Sequence, residues 1–253
     1  NAPDFETDAS TDGDGDYDVT VTINDGAQDG ATITYVVTVT DTNDESPVFT
    51  SSDTINVAEG ATAVVTLTST DGDAADSGGP TYAIDTNDNN LFSINGAVVT
   101  LTNAADFETP GCGSSSNTCT IVVSATDLNS QVTQQTITVT ITDVNDQTPT
   151  YTAGDTTPSV AEGSTAVDTA VAITDTDSGD ANVCTLAGSD AALFTCTLTG
   201  QTAYSLAFTN APDFETDAST DGDGDYDVTV TINDGAQDGA TITYVVTVTD
   251  TND

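Results

Sequence analysis

Strand-favouring apolar residues alternate with threonine and other polar residues along much of this chain. The pattern is clearest at 62–70, 118–127 and 134–143, which read "TAVVTLTST", "TCTIVVSATD" and "QQTITVTITD". Alternation with a period of two predicts half-buried strands, and no stretch sustains the 3.6-residue period of an amphipathic helix. About seven such strands recur over roughly 105 residues, which is typical of a β-sandwich.

The same stretches of sequence recur along the chain. Residues 1–44 are identical, letter for letter, to residues 210–253. A looser repeat lies inside that period, because "INVAEGATAVVTLTSTDGD" at 55–73 parallels "PSVAEGSTAVDTAVAITDTD" at 158–177. Repetition at this scale indicates a tandem array of similar units.

Three segments follow from these repeats. We predict two complete units at 45–146 and 147–253, preceded by the second half of a unit at 1–44. The half unit supplies only a last hairpin, near 17–24 and 31–41. Because two strands are marginally stable alone in water, we expect something outside this chain to complete the half unit.

The charge composition narrows the classes of function. The chain has 42 Asp and Glu and no Lys, Arg or His. An ordinary catalytic triad or Schiff base is therefore excluded, and nucleic acid or an anionic membrane is disfavoured as a partner. Paired carboxylates recur in every repeat, which is unlike a catalytic pair, so we predict that the protein is not an enzyme. No apolar run is long enough to span a bilayer.

Four cysteines fall in two pairs that are each close in sequence. They are Cys112, Cys119, Cys184 and Cys196. An even number in local pairs favours disulfides and an oxidising, extracytoplasmic setting, with Cys112–Cys119 and Cys184–Cys196 as the preferred pairing. Sequence alone leaves three connectivities open, and a zinc site is a competing interpretation that the absence of histidine weakens.

The glutamates occupy repeating positions. Five of the six lie in two motifs, with Glu59 and Glu162 in "AEG" and Glu6, Glu108 and Glu215 in "DFE". Randomly placed solubilising charge would not be sorted in this way. A glutamate is used in calcium sites where a carboxylate must chelate in bidentate fashion, so the pattern indicates sites for a hard divalent cation.

Five motifs in a fixed order resemble the cadherin repeat in the form found in large bacterial surface proteins. They are "AEG", then "DGD" or "DTD", then "DFE", then "TDLN" or "NDG", and finally "DTND" or "DVND". The resemblance implies an all-β fold of tandem seven-strand Greek-key, immunoglobulin-like sandwiches that form an end-to-end rod. It also implies about three calcium ions at each junction between repeats.

The resemblance assigns ligands to three sets of positions. The junction between the half unit and the first complete unit takes Asp4, Glu6, Asn43, Asp44, Asp71, Asp73 and Asp127. The junction between the two complete units takes Glu59, Asp106, Glu108, Asn145, Asp146, Asp175, Asp177 and Asp234. The last set is half a site, with Glu162, Asp213, Glu215, Asn252 and Asp253. The residue after each "ND" is Glu45 or Gln147 rather than the family's Asn, but a backbone carbonyl ligand does not depend on the side chain.

These expectations describe an extracellular structural or adhesive protein whose repeats are stiffened by calcium and joined to further repeats of the same protein. Two alternatives stay open. One is an adhesin domain that binds a glycan, a cell surface or a like repeat. The other is a filament of separate subunits, in which a neighbour's strands complete the half unit at 1–44.

Overall fold

The structure is a computed structural model that describes residues 3–7, 10, 13–73, 78–177, 179 and 181–252. About half of the residues are in strands, as the alternating pattern predicts. The chain divides into two compact units, Asn1–Thr142 and Asp143–Asp253. In the part of the chain described, no helix is of the length and apolar character needed to cross a membrane.

Unit 1 begins with a hairpin and continues into a sandwich. The hairpin strands are β1 (Asp16–Asn24) and β2 (Asp29–Thr38), which pair antiparallel. The sandwich strands are β3 (Val48–Phe49), β4 (Thr54–Ala58), β5 (Ala63–Thr66), β6 (Ser69–Thr70), β7 (Thr81–Asn87), β8 (Phe92–Asn95), β9 (Val98–Leu101), β10 (Thr118–Thr126) and β11 (Val132–Thr142).

The sandwich of unit 1 is built on a four-stranded sheet in the order β4-β11-β10-β7, in which β4 runs parallel to β11. A three-stranded sheet, β5-β9-β8, and the short pair β3-β6 complete it. Alternate residues of β10 and β11, such as Ile121, Val123 and Ile137, are fully buried. They pack with Leu67 and Val99 in one apolar cluster, so the period-two pattern does place one face of each strand in the core.

Unit 2 has the same architecture. Its strands are β12 (Thr150–Tyr151), β13 (Ser159–Ala161), β14 (Ala166–Thr174), β15 (Val183–Ala187), β16 (Phe194–Thr199), β17 (Ala203–Phe208), β18 (Asp225–Asn233) and β19 (Ile242–Thr249). They form two four-stranded sheets, β12-β14-β17-β16 and β13-β19-β18-β15. Side chains from both sheets, including Tyr204 and Tyr244, meet in a single apolar cluster.

Two disulfides join neighbouring elements. Cys112 is bonded to Cys119, and Cys184 to Cys196. This confirms the preferred sequence-local pairing and leaves no free cysteine for the competing zinc site.

The two copies of the 44-residue repeat form the same hairpin in different surroundings. Val21 pairs with Ile33 in β1–β2, and Val230 pairs with Ile242 in β18–β19, which is the same register. Val230 is fully buried, whereas Val21 is 45% exposed. In unit 2 the hairpin is flanked by β13 and β15, but the β1–β2 sheet has no third strand among the described residues.

Candidate metal centre

The acidic motifs converge within unit 1 at the end of the half repeat. Ligand oxygens of Glu6, Asp44 and Asp73 lie within 4.8 Å of one another. These residues come from three motifs that are far apart in sequence, "DFE", "DTND" and "DGD". Gly72 lies against two of the glutamates, because a Cβ there would be in ordinary van der Waals contact, at 3.4 Å, with the Cγ atoms of Glu6 and Glu45.

Short turns hold the "DFE" segments. The Asp4 carboxylate accepts hydrogen bonds from the backbone N–H groups of Glu6 and Thr7, at 3.1 and 3.2 Å. Asp106 makes the equivalent bond to Thr109 N–H at 2.8 Å. An aspartate that bonds the backbone two or three residues ahead fixes a tight turn, and this turn directs the following glutamate.

Three aspartates of unit 1 use their two oxygens differently. Asp73 Oδ2 accepts the backbone N–H of Glu45 at 2.9 Å, Asp71 Oδ1 accepts that of Asp73 at 3.1 Å, and Asp127 Oδ1 accepts that of Gln131 at 2.7 Å. The other oxygen of each of these three aspartates is buried and accepts no hydrogen bond from the described residues. One oxygen therefore anchors each side chain, and the second is left available to a ligand.

The chain between the half repeat and the sandwich is tied to the same residues. Asn129 Nδ2 donates to the backbone carbonyl of Asn43 at 2.6 Å, and the Ser46 hydroxyl donates to Gln131 at 3.2 Å. Asn43 Oδ1 is a further buried oxygen without a hydrogen-bond donor among the described residues. The "TDLN" turn around Asp127 thus holds the "DTND" segment in place.

Unit 2 repeats this arrangement. Asp177 Oδ2 accepts Gln147 N–H at 2.7 Å, and Asp175 Oδ1 accepts Asp177 N–H at 3.3 Å. Asp234 Oδ1 accepts the N–H groups of two residues in the "NDG" turn, and its backbone carbonyl accepts Asn145 Nδ2 at 3.1 Å. Asp175 Oδ2 and Asp234 Oδ2 are again buried without a donor in the described part of the chain.

The "AEG" glutamates connect the motifs within each unit. Glu59 Oε2 accepts Phe107 N–H of the "DFE" segment at 2.9 Å, and Glu162 Oε2 accepts Phe214 N–H at 3.0 Å. Glu162 Oε1 also accepts Thr251 N–H of the closing "DTND" segment at 2.6 Å. The oxygens of Glu162, Asp213 and Glu215 consequently lie within 4.8 Å of one another.

Hydrogen bonding and desolvation shift the pKa values of two acids of these sites in opposite directions. The strongest influence on the pKa of Glu6 is a backbone hydrogen bond, which lowers it. Burial, a hydrogen bond from Asp4 and the charges of Asp41 and Asp73 outweigh that bond, so the Glu6 pKa is raised. Asp234 behaves oppositely, because the pKa increase caused by burial is exceeded by the backbone hydrogen bonds that stabilise its charged form, and its pKa is lowered.

The donor set fits calcium. Every unpaired oxygen described above belongs to a carboxylate or an amide, and hard divalent cations prefer such oxygens. An acceptor that is buried without a donor is costly, so several in one unit favour a bound partner, and a cation suits carboxylate oxygens. The chain supplies no Lys, Arg or His for that role. The residues of the described sites therefore suit a bound cation better than an ion pair.

The structure places the remaining predicted ligands as follows. Glu108 is half-buried in unit 1, Asp146 is exposed and accepts a hydrogen bond from the Gln147 side chain, and Asn252 is exposed. Asp253 lies outside the described residues. The sequence prediction omitted Asp41, whose charge acts on Glu6. Its position as the first acid of "DTND" was the signal that could have identified it.

Comparison with known proteins identifies a family model that matches part of this chain. Residues 53–142 match the family model of the cadherin domain. A comparison with curated proteins finds no match.

Solved structures with the same fold are cadherin ectodomains. Domains 3–6 of protocadherin gamma B2 have 22% identity and a TM-score of 0.72, covering 94% of this chain and 60% of that one. The human desmocollin-1 ectodomain has 19% identity and a TM-score of 0.69, covering 100% and 50%. The protocadherin gamma B4 extracellular domain has 22% identity and a TM-score of 0.63, covering 100% and 39%. This chain thus spans about two to three fifths of the length of these structures.

Proposed function

We propose that this chain is part of an extracellular structural or adhesive protein, built from cadherin-like repeats that calcium stiffens at their junctions. The observation that carries the proposal is how the buried aspartates Asp73 and Asp127 use their two oxygens. One oxygen accepts a backbone N–H, and the other has no donor among the described residues. The cadherin-domain match over residues 53–142 supports the same conclusion.

In unit 1, Glu6, Asp44, Asp71, Asp73 and Asp127 would hold the ions, with Asn43 as an additional oxygen ligand. Calcium supplies positive charge that neutralises these carboxylates. The protein's contribution is to hold the acids in place beforehand through backbone N–H groups, so that few side chains must be ordered when the ion binds. In unit 2, Asp175, Asp177 and Asp234 would bind ions in the same way, since backbone N–H groups hold their carboxylates in place.

Stiffening follows from where these ligands lie in the sequence. They come from the half repeat, from the segment that connects it to the sandwich, and from the sandwich itself. Without cations, like charges in this short segment repel one another and favour its opening. With calcium, the three parts share the same ions, and since the ions bind the ordered arrangement preferentially, they also stabilise folding.

Electron microscopy of the protein in calcium and in excess chelator would test this proposal. We expect straight, stiff particles in calcium and bent, variable ones in chelator. Asp127→Asn should behave in calcium as the wild type does in chelator. Asp18→Asn is the matched control, since it removes an exposed acid of β1 and should leave stiffness unchanged. Particles that stay equally stiff in chelator would contradict the proposal.

A further inference from the structure

The outer face of the four-stranded sheet β4-β11-β10-β7 in unit 1, hereafter the threonine face, carries almost no charge. Alternate residues of β10 and β11 are buried, so the residues between them point away from the core. Among these outward residues, Thr118, Thr120 and Thr136 are exposed. No residue of β4, β10 or β11 is an Asp or a Glu, although the chain has 42 of them among 253 residues.

The fourth strand, β7, contributes one acid to this face, Asp85. Its carboxylate accepts hydrogen bonds from Ser124 Oγ at 2.9 Å and from Gln134 Nε2 at 2.7 Å. Ser124 lies on β10 and Gln134 on β11, so donors of the threonine face itself hold both oxygens of Asp85. The acid therefore lies along the face and is already hydrogen-bonded there.

The threonines form regular rows across the strands. Thr138 is flanked in register by Thr54 on β4 and by Thr120 on β10, and Thr140 pairs with Thr118. Successive rows are about 6.6 Å apart along a strand, and neighbouring strands are about 4.8 Å apart. Each threonine presents a methyl group and a hydroxyl that both donates and accepts hydrogen bonds. A second face with the same spacing therefore matches this one row for row.

The corresponding sheet of unit 2 shows that the fold does not require this lack of charge. The turns "TDLN" and "NDG" follow β10 and β18 and align the two strands, so Thr118 and Thr120 stand where β18 has Asp225 and Asp227. Asp225 pairs in register with Thr247 and accepts its hydroxyl at 2.8 Å. The same strand position thus accommodates an acid in one unit and a threonine in the other.

The area of the threonine face sets the strength of any contact that it makes. Strands of 5, 11, 9 and 7 residues cover about 500 Å² at these spacings. Two such faces together would bury about 1,000 Å², which is the lower limit for a specific interface and is typical of a weak, reversible one. The sheet β5-β9-β8 of unit 1 has no acid in its strands either, but its three strands of 4 residues cover only about 200 Å².

We propose that two copies of this chain pack side by side through the threonine face, sheet against sheet, in a weak and reversible pair. A chain without Lys, Arg or His has no side chain that can neutralise carboxylates brought against it by a second copy. Pairing is therefore confined to faces with few acids, and the threonine face offers more area than β5-β9-β8. A two-fold axis brings the same patch of both copies together, which suits rows that match themselves. Sheets packed in this way lie about 10 Å apart, with their side chains interdigitated.

Sedimentation equilibrium over a range of concentrations, at physiological and at high salt, tests this proposal. We expect the average mass of the wild type to rise with concentration towards that of a dimer, and more so at high salt, which screens the remaining acids. Thr118→Asp/Thr120→Asp gives the face the acids of unit 2 and should weaken association about tenfold or more, because like charges then face each other. This variant should melt as the wild type does, since Thr140 stands where Thr247 does and offers the same donor.

A matched control and a measurement without variants complete the experiment. Ser93→Asp/Asn95→Asp adds the same charge at exposed positions of β8, on the opposite sheet, and should associate as the wild type does. In nuclear magnetic resonance spectra of the wild type, the backbone amides of β10 and β11 should shift with concentration more than those of β8 and β9. No residue assigned to calcium lies on the threonine face. Thr118→Asp/Thr120→Asp should therefore keep the calcium-induced rise in Tm, which separates this proposal from the proposed function.

Four outcomes would overturn the proposal. The first is a wild type that stays monomeric at every concentration and at both salt levels. The second is association of Thr118→Asp/Thr120→Asp as strong as that of the wild type, which would place the contact elsewhere. The third is equal weakening by Ser93→Asp/Asn95→Asp, which would show an effect of net charge alone. The fourth is a monomeric wild type whose β10 and β11 amides shift when a neutral oligosaccharide is added, which would assign the face to a carbohydrate.

Discussion

Asp127 and Asp190 are two buried aspartates whose oxygens differ in their hydrogen bonds. This difference predicts that only the substitution of Asp127 affects calcium binding. Asp127 is 7% exposed, and one of its oxygens has no donor in the part of the chain that the structure describes. Asp190 is 1% exposed, and both of its oxygens accept hydrogen bonds, from Thr220 and from Asp227 and Ser189. We therefore expect Asp127→Asn to weaken calcium binding and Asp190→Asn to leave it unchanged.

The magnitude follows from the loss of one charged ligand. Such a loss costs about 2.7 kcal/mol, near the upper end for a charged hydrogen-bonding partner, which is a roughly 100-fold weaker affinity. At free calcium about 100 times the wild-type Kd, the wild type gains about 2.7 kcal/mol of stability, whereas Asp127→Asn gains about 0.4 kcal/mol. For a unit of this size, the calcium-induced rise in Tm should fall from about 10 °C to about 2 °C.

Differential scanning calorimetry in calcium and in excess chelator measures the Tm of each variant and the rise in Tm that calcium causes. Asp127→Asn should melt close to the wild type in chelator, since Asn keeps the Oδ1 acceptor for Gln131 N–H. Asp190→Asn should lower the Tm of its unit equally in both conditions. A wild-type calcium shift retained by Asp127→Asn would refute the assignment of its free oxygen as a ligand. A shift lost equally in Asp190→Asn would show that calcium acts non-specifically.

Three further predictions concern the folded state. Val230→Ala should cost about 2 kcal/mol in urea unfolding, and Val21→Ala less than about 0.5 kcal/mol, because only Val230 is buried although both occupy the same position of the repeat. Equal effects would contradict the exposure of Val21 in the β1–β2 hairpin. Tyr244→Phe removes the hydroxyl that donates to Asp168 Oδ2 and should cost about 1–3 kcal/mol in the same assay. No loss of stability would show that this hydrogen bond is not formed. Burial raises the pKa of Asp190, but its hydrogen bonds outweigh burial, so the pKa is lowered from its ordinary value of 3.8. The Asp190 carboxylate therefore stabilises unit 2 above pH 3.8, and that contribution is lost as the pH falls through the lowered folded-state pKa. Acid titration of Asp190→Asn should show a shallower loss of stability below about pH 4, and an unchanged slope would contradict the lowered pKa of Asp190.

The sequence pattern predicted the strands well because their burial is periodic. The segment 118–127 contains β10 (Thr118–Thr126), and its alternate valines and isoleucines do face the core. Boundaries were less accurate in the hairpin, where β2 covers Asp29–Thr38 rather than 31–41. Strand ends depend on the turn at Asp25 to Gln28, whose hydrogen bonds are local and leave no periodic signal.

Motif order indicated which acids to consider as ligands, but not how each carboxylate oxygen is used. Nothing in "DGD" or "TDLN" indicates that one oxygen of Asp73 or Asp127 is bound to a backbone N–H while the other is free. That information depends on tertiary approach, as when Glu45 N–H reaches Asp73 across 28 residues of sequence. The local sequence also could not predict the exposure of Val21, because Val230 has identical neighbours in sequence and is fully buried.

The repeated hairpin has a consequence for hydrogen-exchange mass spectrometry. A peptide covering Val19–Ile23 has the same mass and composition as one covering Val228–Ile232. The first peptide comes from β1, which pairs only with β2 among the described residues, and the second comes from the middle of a four-stranded sheet. The two should exchange at very different rates and give a double isotope envelope for a single peptide mass. The two envelopes would come from two positions in one molecule rather than from two populations of molecules. The ratio of their intensities would give the proportion of exposed to buried copies of the hairpin.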